Sequence, residues 1–467
     1  MINSTCATGG TLKELLEAIN AVPSGTAFIV DEENKLEGIY TDGDFRRLLL
    51  SGRSLNSVFT KEDLSEFVFA FKGQDIQKII ASTDRKVRII PIVNDKMELV
   101  DFVRFEHKMK YTPIAEPALS SKELEYLTDA FLSTWISSSG KYINKFEADF
   151  SSYSECEFGV ATSNGTVAIH LALEALGIGE GDEVIVPDLT FAATINAVLH
   201  ANATPVVVDV DPIRWTIDPA EIEKAITSKT KGIIPVHIYG QPCEMDKIMQ
   251  IAKTHNLSVI EDCAEAHGAT FKGRKIGSFG DVATFSFFGN KIITTGEGGM
   301  CTTNSEELNK KMRVLRDHGM DPNRRYWHDV VGYNYRMTNL QAAIGCAQLE
   351  RIDEIISNRY TIESKYKEAL KGIEWVQWQT NFNDSEKVVW LVSAVLDGKN
   401  REDVFEALSN ERIDVRPFFY PLSDMDIYKS YVFSCKVSKA LSVVGFNLPT
   451  VEDVDFDQMK RAFEAVK

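Results

Sequence analysis

The sequence predicts an α/β protein: a mainly parallel sheet wrapped by helices, a smaller α+β segment after it, and a separate module in front. Three observations carry this. Beyond residue 158, short apolar strands alternate with helical patterns of about 10–15 residues, the mark of a parallel sheet covered on both faces. From about residue 346 the alternation gives way to a long polar helix and mixed elements. Residues 1–110 differ in composition: they hold 15 of the 51 basic and 17 of the 68 acidic groups, leaving −15 of the net −17 to the rest. The predicted units are 1–110, 111–345 and 346–467, in keeping with a length of 467 residues.

The front module reads as one unit used twice. TLKELLEAIN places Leu12, Leu15, Leu16 and Ile19 on one helical face. A strand over 27–31, the turn EENK, a strand over 36–41 and a helix opening DGDFRRLLL follow. The second copy runs as a helix over 76–82, a strand over 88–93, the turn NDKM and a strand over 99–105. The run GIYTDGDFRR, from Gly38 to Arg47, resembles the strand-to-helix junction of a CBS-domain pair. That resemblance implies a regulatory adenine nucleotide, with Thr41 and Asp44 taking its phosphate and ribose. The alternative is that Thr41 or Asp42 only caps the next helix. The second copy has no T-x-x-D, so at most one such site is expected. Residues 105–117 (FEHKMKYTPIAEP) read as a linker.

The elements then follow in order: strand 158–162, helix 166–176, strand 183–187, helix 192–201, strand 205–209, strand 232–237, helix 245–255 and strand 258–261. A long polar helix over 349–370 opens the last segment.

Composition excludes several functions. A net charge of −17 repels a nucleic-acid backbone. Seven scattered cysteines without C-x-x-C indicate a reduced, cytoplasmic protein, not a disulfide framework or a zinc site. No H-E-x-x-H occurs, and no metal site is expected. MINSTCATGG is not a signal peptide, and no apolar run approaches the ~20 residues that span a bilayer.

Three strand ends carry the chemistry, because ligands of open α/β sheets bind there. In GVATSNGTVAIH a strand stops at Thr162 and a helix opens at Thr166. Gly165 permits close approach, so the helix start makes a phosphate cradle or an ordinary capped end. In SVIEDCAEAHGA a strand delivers Glu261 and Asp262, with Glu265 and His267 beyond. In DVATFSFFGNKIITTGEGGM a strand delivers Ser286, and Lys291 follows among apolar groups that favour imine chemistry. Each motif alone has a plain structural reading. Together, a phosphate cradle, a strand-end Asp and a Lys are what pyridoxal phosphate (PLP) requires.

At these residues the chain resembles the sugar aminotransferases of the DegT/DnrJ/EryC1/StrS family. The matching stretches are SFFGNKxxTTGEGG, VPDLTFAATINA (186–197), EDCAEAHGA (261–269) and GYNYRMTNLQAAIG (332–345), within residues 112–467. The resemblance implies an aspartate-aminotransferase-like, fold type I PLP domain. It implies that Lys291 bonds the cofactor and later acts as acid and base, and that Asp262 pairs with the ring nitrogen. Gly165, Thr166 and Ser286 would hold the phosphate, Phe191 would stack on the ring, and Asn334 would reach the site of a second subunit in a homodimer. Glu265 stands where many members carry Gln facing the phenolate oxygen.

RPFFYPL (416–422) and SFFGNK are most similar to members that aminate C4 of a GDP-linked 4-keto-6-deoxy sugar, with L-glutamate as donor. The following SDMDIY departs from a His common there. Lys291 itself argues against the family's dehydratases, which carry His in its place. Two alternatives remain open: C3 or C4 amination of a dTDP- or UDP-linked keto sugar, and a nucleotide-sensing protein whose catalytic domain is degenerate.

Overall fold

The computed structural model describes residues 5–20, 25–60, 63, 67–74, 89–104 and 111–466, and the chain separates into two units, 1–110 and 111–467. In the first unit, β1 (Thr5–Ala7), α1 (Leu12–Asn20), β2 (Thr26–Val30), β3 (Leu36–Thr41) and α2 (Asp42–Leu50) precede β4 (Ala70–Phe71), β5 (Ile89–Val93) and β6 (Leu99–Arg104). β2 runs parallel to β1 and antiparallel to β3, and β5 repeats this with β4 and β6. Each hairpin has a register irregularity at the matching place, before Val30 and before Val93. The two turns meet reciprocally: Leu36 N donates to Met97 O (2.9 Å) and Leu99 N to Asn34 O (3.2 Å). Phe28, Val30 and Leu36 share one core with Ile89, Val93 and Leu99. The helix expected over 76–82 lies outside the described residues.

The second unit is built on β7 (Phe158–Thr162), β8 (Glu183–Pro187), β9 (Thr204–Val208), β10 (Thr230–Ile233), β11 (Ser258–Asp262), β12 (Val282–Ser286) and β13 (Gly299–Thr303). The order across the sheet is β7-β13-β12-β11-β10-β8-β9. Only β13 opposes its neighbours; the other pairings are parallel. Strands buried on both faces read as near-continuous apolar runs without polar alternation, as in EVIVP and VATFS. Helix α3 (Gly165–Leu176) packs on β11, β12 and β13, with α4 (Ala193–His200) beside it.

Helices α5 (Asn339–Leu349) and α6 (Ile352–Ala369) lead to an antiparallel sheet of β14 (Val376–Trp378), β15 (Val392–Leu396), β16 (Arg416–Pro417) and β17 (Gly445–Leu448). This sheet has its own core around Tyr366, Phe446 and Phe463. Helix α7 (Lys436–Val444) packs on it.

Two expectations change. The helix expected over 349–370 is α6 alone, and it starts after a break at Glu350–Arg351. Residue 346 lies inside α5, whose Ala342, Ala343 and Cys346 belong to the large core, so the change of architecture follows that helix. The second half of the expected linker is also stitched down. Thr112 N donates to Arg412 O (3.1 Å), Asp414 N to Thr112 O (2.9 Å), and Thr450 N to Ile114 O (2.8 Å). Composition marks the segment as polar, but an extended backbone can pair whatever its side chains are. All seven cysteines are unpaired. Among the described residues no helix is long and apolar enough to cross a membrane.

Candidate active site

A cavity of about 720 Å³ opens where β11 and β12 end and α3 begins. Gly165, Thr166, Phe191, Asp262, Glu265, Ser286 and Lys291 all line it. These residues are far apart in sequence, and parallel pairing of β11 with β12 brings Asp262 beside Thr284.

The phosphate end is shaped by one contact. A Cβ on Gly165 would lie 2.8 Å from Ser286 Cβ, so only glycine lets the helix start touch the strand end. Asn164 caps α3 by accepting the Val167 N–H at 3.0 Å. Gly165 and Thr166 line the cavity at the start of α3, the positive end of the helix dipole, where the first amides have no intrahelical partner. Together with Ser286 Oγ this donor set fits a phosphate dianion.

Asp262 ends β11. Its Oδ2 accepts the Thr194 hydroxyl (2.9 Å) and its Oδ1 accepts the Ala264 N–H (3.2 Å). Burial raises its pKa above the ordinary value. A cationic ring N–H is the partner that restores an ionised carboxylate at such a place. Lys291 Nζ lies 3.7 Å from Glu265 Oε1 and 4.2 Å from the centroid of the Trp390 ring. Burial pushes Glu265 up to about 7, with the Lys291 charge opposing it. His267, buried among Phe150, Phe285 and Phe287, is pulled down to about 3 by burial and stays neutral. The cradle, the strand-end carboxylate and the lysine thus fit PLP.

Several contributors are not among the residues picked out from the sequence, although Asp188, Thr194 and Phe419 lie within matching stretches. Tyr239 is fully buried with φ at 50°, a conformation that costs a non-glycine residue about 1–2 kcal/mol. Its N–H donates to Glu265 Oε2 at 2.7 Å and its hydroxyl accepts the Phe419 N–H at 2.8 Å. Its ring stacks on Phe419 and Trp390. Thr194, Trp390 and Phe419 complete the wall. Asp188, just beyond β8, anchors the segment after RPFFYPL. Its carboxylate accepts the Ser423 N–H (2.7 Å), the Ser423 hydroxyl (2.8 Å) and the Ser438 hydroxyl (2.5 Å).

Asn334 lies outside the cavity of its own chain, where its Oδ1 accepts from Arg336 Nε (3.0 Å). In the first unit, Thr41 and Asp44 form a capping box. Thr41 Oγ1 accepts the Asp44 N–H (3.3 Å) and Asp44 Oδ2 accepts the Thr41 N–H (2.9 Å), while Arg47 pairs with the same carboxylate. The helix cap that the sequence pattern also allows is therefore formed. No metal site was expected, yet His237, Glu261 and Cys263 converge. Glu261 already accepts the amides of Gly277, Phe279 and Gly280, and His237 Nδ1 accepts the Cys243 N–H. The cluster is a hydrogen-bonded strut across the sheet end.

Residues 117–467 match the DegT/DnrJ/EryC1/StrS aminotransferase family. The chain is 46% identical over 359 residues to the GDP-perosamine synthase of Escherichia coli O157:H7, covering 77% of this chain and 98% of that protein. It is 48% identical over 361 residues to the GDP-perosamine synthase of Caulobacter vibrioides, covering 76% and 97%. Among solved structures, a putative sugar aminotransferase from Streptococcus pneumoniae in its PLP form superposes with a TM-score of 0.71 at 28% identity, over 76% of this chain and all of that one.

Proposed function

The chain belongs to the DegT/DnrJ/EryC1/StrS aminotransferase family, and from this premise we propose that it aminates C4 of a GDP-linked 4-keto-6-deoxy sugar, with L-glutamate as donor. It is a PLP-dependent sugar aminotransferase. The GDP sugar is supported by relatives named as GDP-perosamine synthases at 46% and 48% identity. The observation that carries the chemistry is Lys291 beside Glu265 in a cavity whose other end is the Gly165–Ser286 cradle.

Bound PLP supplies an aldehyde that takes up the donor's amino group and a ring that accepts the electrons of a broken C–H bond. The chain's residues do the rest. Gly165, Thr166 and Ser286 hold the phosphate. Asp262, itself oriented by Thr194, keeps the proton on the ring nitrogen. Lys291 Nζ moves the proton released from the donor's Cα. Glu265, fixed by the Tyr239 N–H, receives or returns a proton at Oε1, toward Lys291. Trp390, Phe419 and Phe191 exclude water around the reacting atoms.

The reading includes a homodimer. Asn334 is exposed and away from its own cavity, which favours a role in the site of a second copy. Unpaired cysteines favour a reducing, cytoplasmic setting. The first unit is proposed as a CBS-domain pair that binds a regulatory nucleotide, supported by its repeated hairpins. A nucleotide at Thr41 and Asp44 must displace Arg47 from Asp44. A panel of nucleotides should raise the melting temperature or change turnover; no response to any of them would overturn that part. The substrate is tested by glutamate-dependent turnover on GDP-, UDP- and dTDP-linked 4-keto-6-deoxy sugars. The GDP sugar should be preferred, and faster turnover of a UDP or dTDP sugar would contradict the assignment.

A further inference from the structure

Arg359, in the middle of α6, is only 5% exposed. Its recorded bonds go to two main-chain carbonyls: Nη1 donates to Trp390 O at 2.6 Å and Nη2 to Lys291 O at 3.4 Å. No ion pair to a carboxylate is found for it among the described residues. Burial pulls its pKa down to about 10, so it remains a cation at neutral pH. Burying a charge without a counter-charge is costly. That cost points to a role for Arg359 beyond stability.

The surroundings show what that use is. Trp390 Nε1 donates to Asn290 O at 2.8 Å, and Lys291 Nζ stands 4.2 Å from the centroid of the same indole. The main chain at 290–291, the ring and main chain of Trp390, the lysine nitrogen and the guanidinium form one closed set of contacts. Lys291 and Trp390 both sit in irregular backbone outside any strand or helix. Their carbonyls therefore depend on a side chain for a partner.

We propose that Arg359 is a positioning residue for Lys291: its guanidinium fork fixes the 290–291 backbone against Trp390, so that the released lysine nitrogen returns to one place over the indole. This rests on Lys291 being the reacting lysine. A role in stability alone gives the opposite pattern of effects. Arg359→Met removes the buried charge but also the donor of two buried carbonyls; the two effects on stability oppose each other, so the melting temperature should move little.

The test uses the full-length protein as wild type, R359M and R359K. Three quantities are read: kcat with the KM for L-glutamate, the melting temperature, and the rate at which the visible band appears when cofactor-free protein is mixed with PLP. For R359M, kcat and the rate of band appearance should both fall on the order of 10- to 100-fold. KM should stay within about threefold and the melting temperature should shift by no more than about 4 °C. R359K, which keeps the charge but cannot span both carbonyls, should lie between R359M and wild type. The proposal is overturned if both rates in R359M stay within about threefold of wild type, or if kcat falls only together with the melting temperature. If R359M does not accumulate, R359K decides, and a wild-type kcat in it overturns the proposal. Wild-type protein without turnover would instead overturn the catalytic reading beneath it.

Discussion

Replacing Glu265 with Gln removes a titration that the fold itself creates. The carboxyl is fully buried, one oxygen on the Tyr239 N–H and the other facing Lys291, and burial lifts it from 4.5 to about 7. Below 4.5 the folded and unfolded chains both carry the proton. Between 4.5 and about 7 the unfolded chain has released it and the folded protein still holds it, so stability falls as pH rises. Above about 7 the loss is complete, on the order of 3 kcal/mol. Gln keeps an acceptor for Tyr239 and cannot ionise. The assay is urea unfolding of the cofactor-free, full-length protein, wild type beside Glu265→Gln. Relative to wild type, the variant should gain about 2–3 kcal/mol between pH 5 and pH 8. A difference that does not change with pH would refute the reasoning, because it would mean that Glu265 is already ionised at pH 5.

Three further outcomes follow from the same geometry. Gly165→Ala places a Cβ 2.8 Å from Ser286 Cβ; at about 1–3 kcal/mol of overpacking, the Kd for PLP should rise about tenfold or more in an absorbance titration, and an unchanged Kd contradicts the cradle. Asp262→Asn should retain the bound cofactor while kcat falls on the order of 10²–10³-fold, and a kcat within about tenfold of wild type would remove its electrostatic role. Asp188→Asn weakens three bonds to Ser423 and Ser438; the KM for the sugar nucleotide should rise about tenfold, with the glutamate half-reaction unaffected.

Much of the site was legible because its parts occupy strand ends. Asp262 and Ser286 close short, buried, mostly apolar strands, and Gly165 opens a helix after a strand; each position is set by local pattern. Lys291 needed its neighbours, since a lysine in a glycine-rich loop is unremarkable without the other two motifs. What stayed hidden is held by tertiary contact. Nothing near Trp390 or Arg359 in the chain says that they meet at Lys291, because the meeting depends on how α6 and the segment before β15 pack on the large sheet. Tyr239 was hidden for another reason: its positive φ is held by a partner on its main-chain N–H and another on its hydroxyl, where local preference favours Gly or Asn. The α5–α6 break was missed because the polar pattern continues across Glu350 and Arg351 while the packing partner changes. At Thr41 and Asp44 a single sequence pattern suits both a helix cap and a ligand; the cap bonds are formed, and the nucleotide panel tests the ligand.

The proposed role of Lys291, amino-group transfer between L-glutamate and a GDP-linked keto sugar, is tested most directly by the visible spectrum of the full-length, PLP-loaded protein. The wild-type band should be bleached by L-glutamate and restored by the GDP-linked 4-keto-6-deoxy sugar, while Lys291→Ala shows neither response. A Lys291→Ala protein that completes the same cycle at the wild-type rate, or a wild-type protein that binds no PLP, would contradict the account.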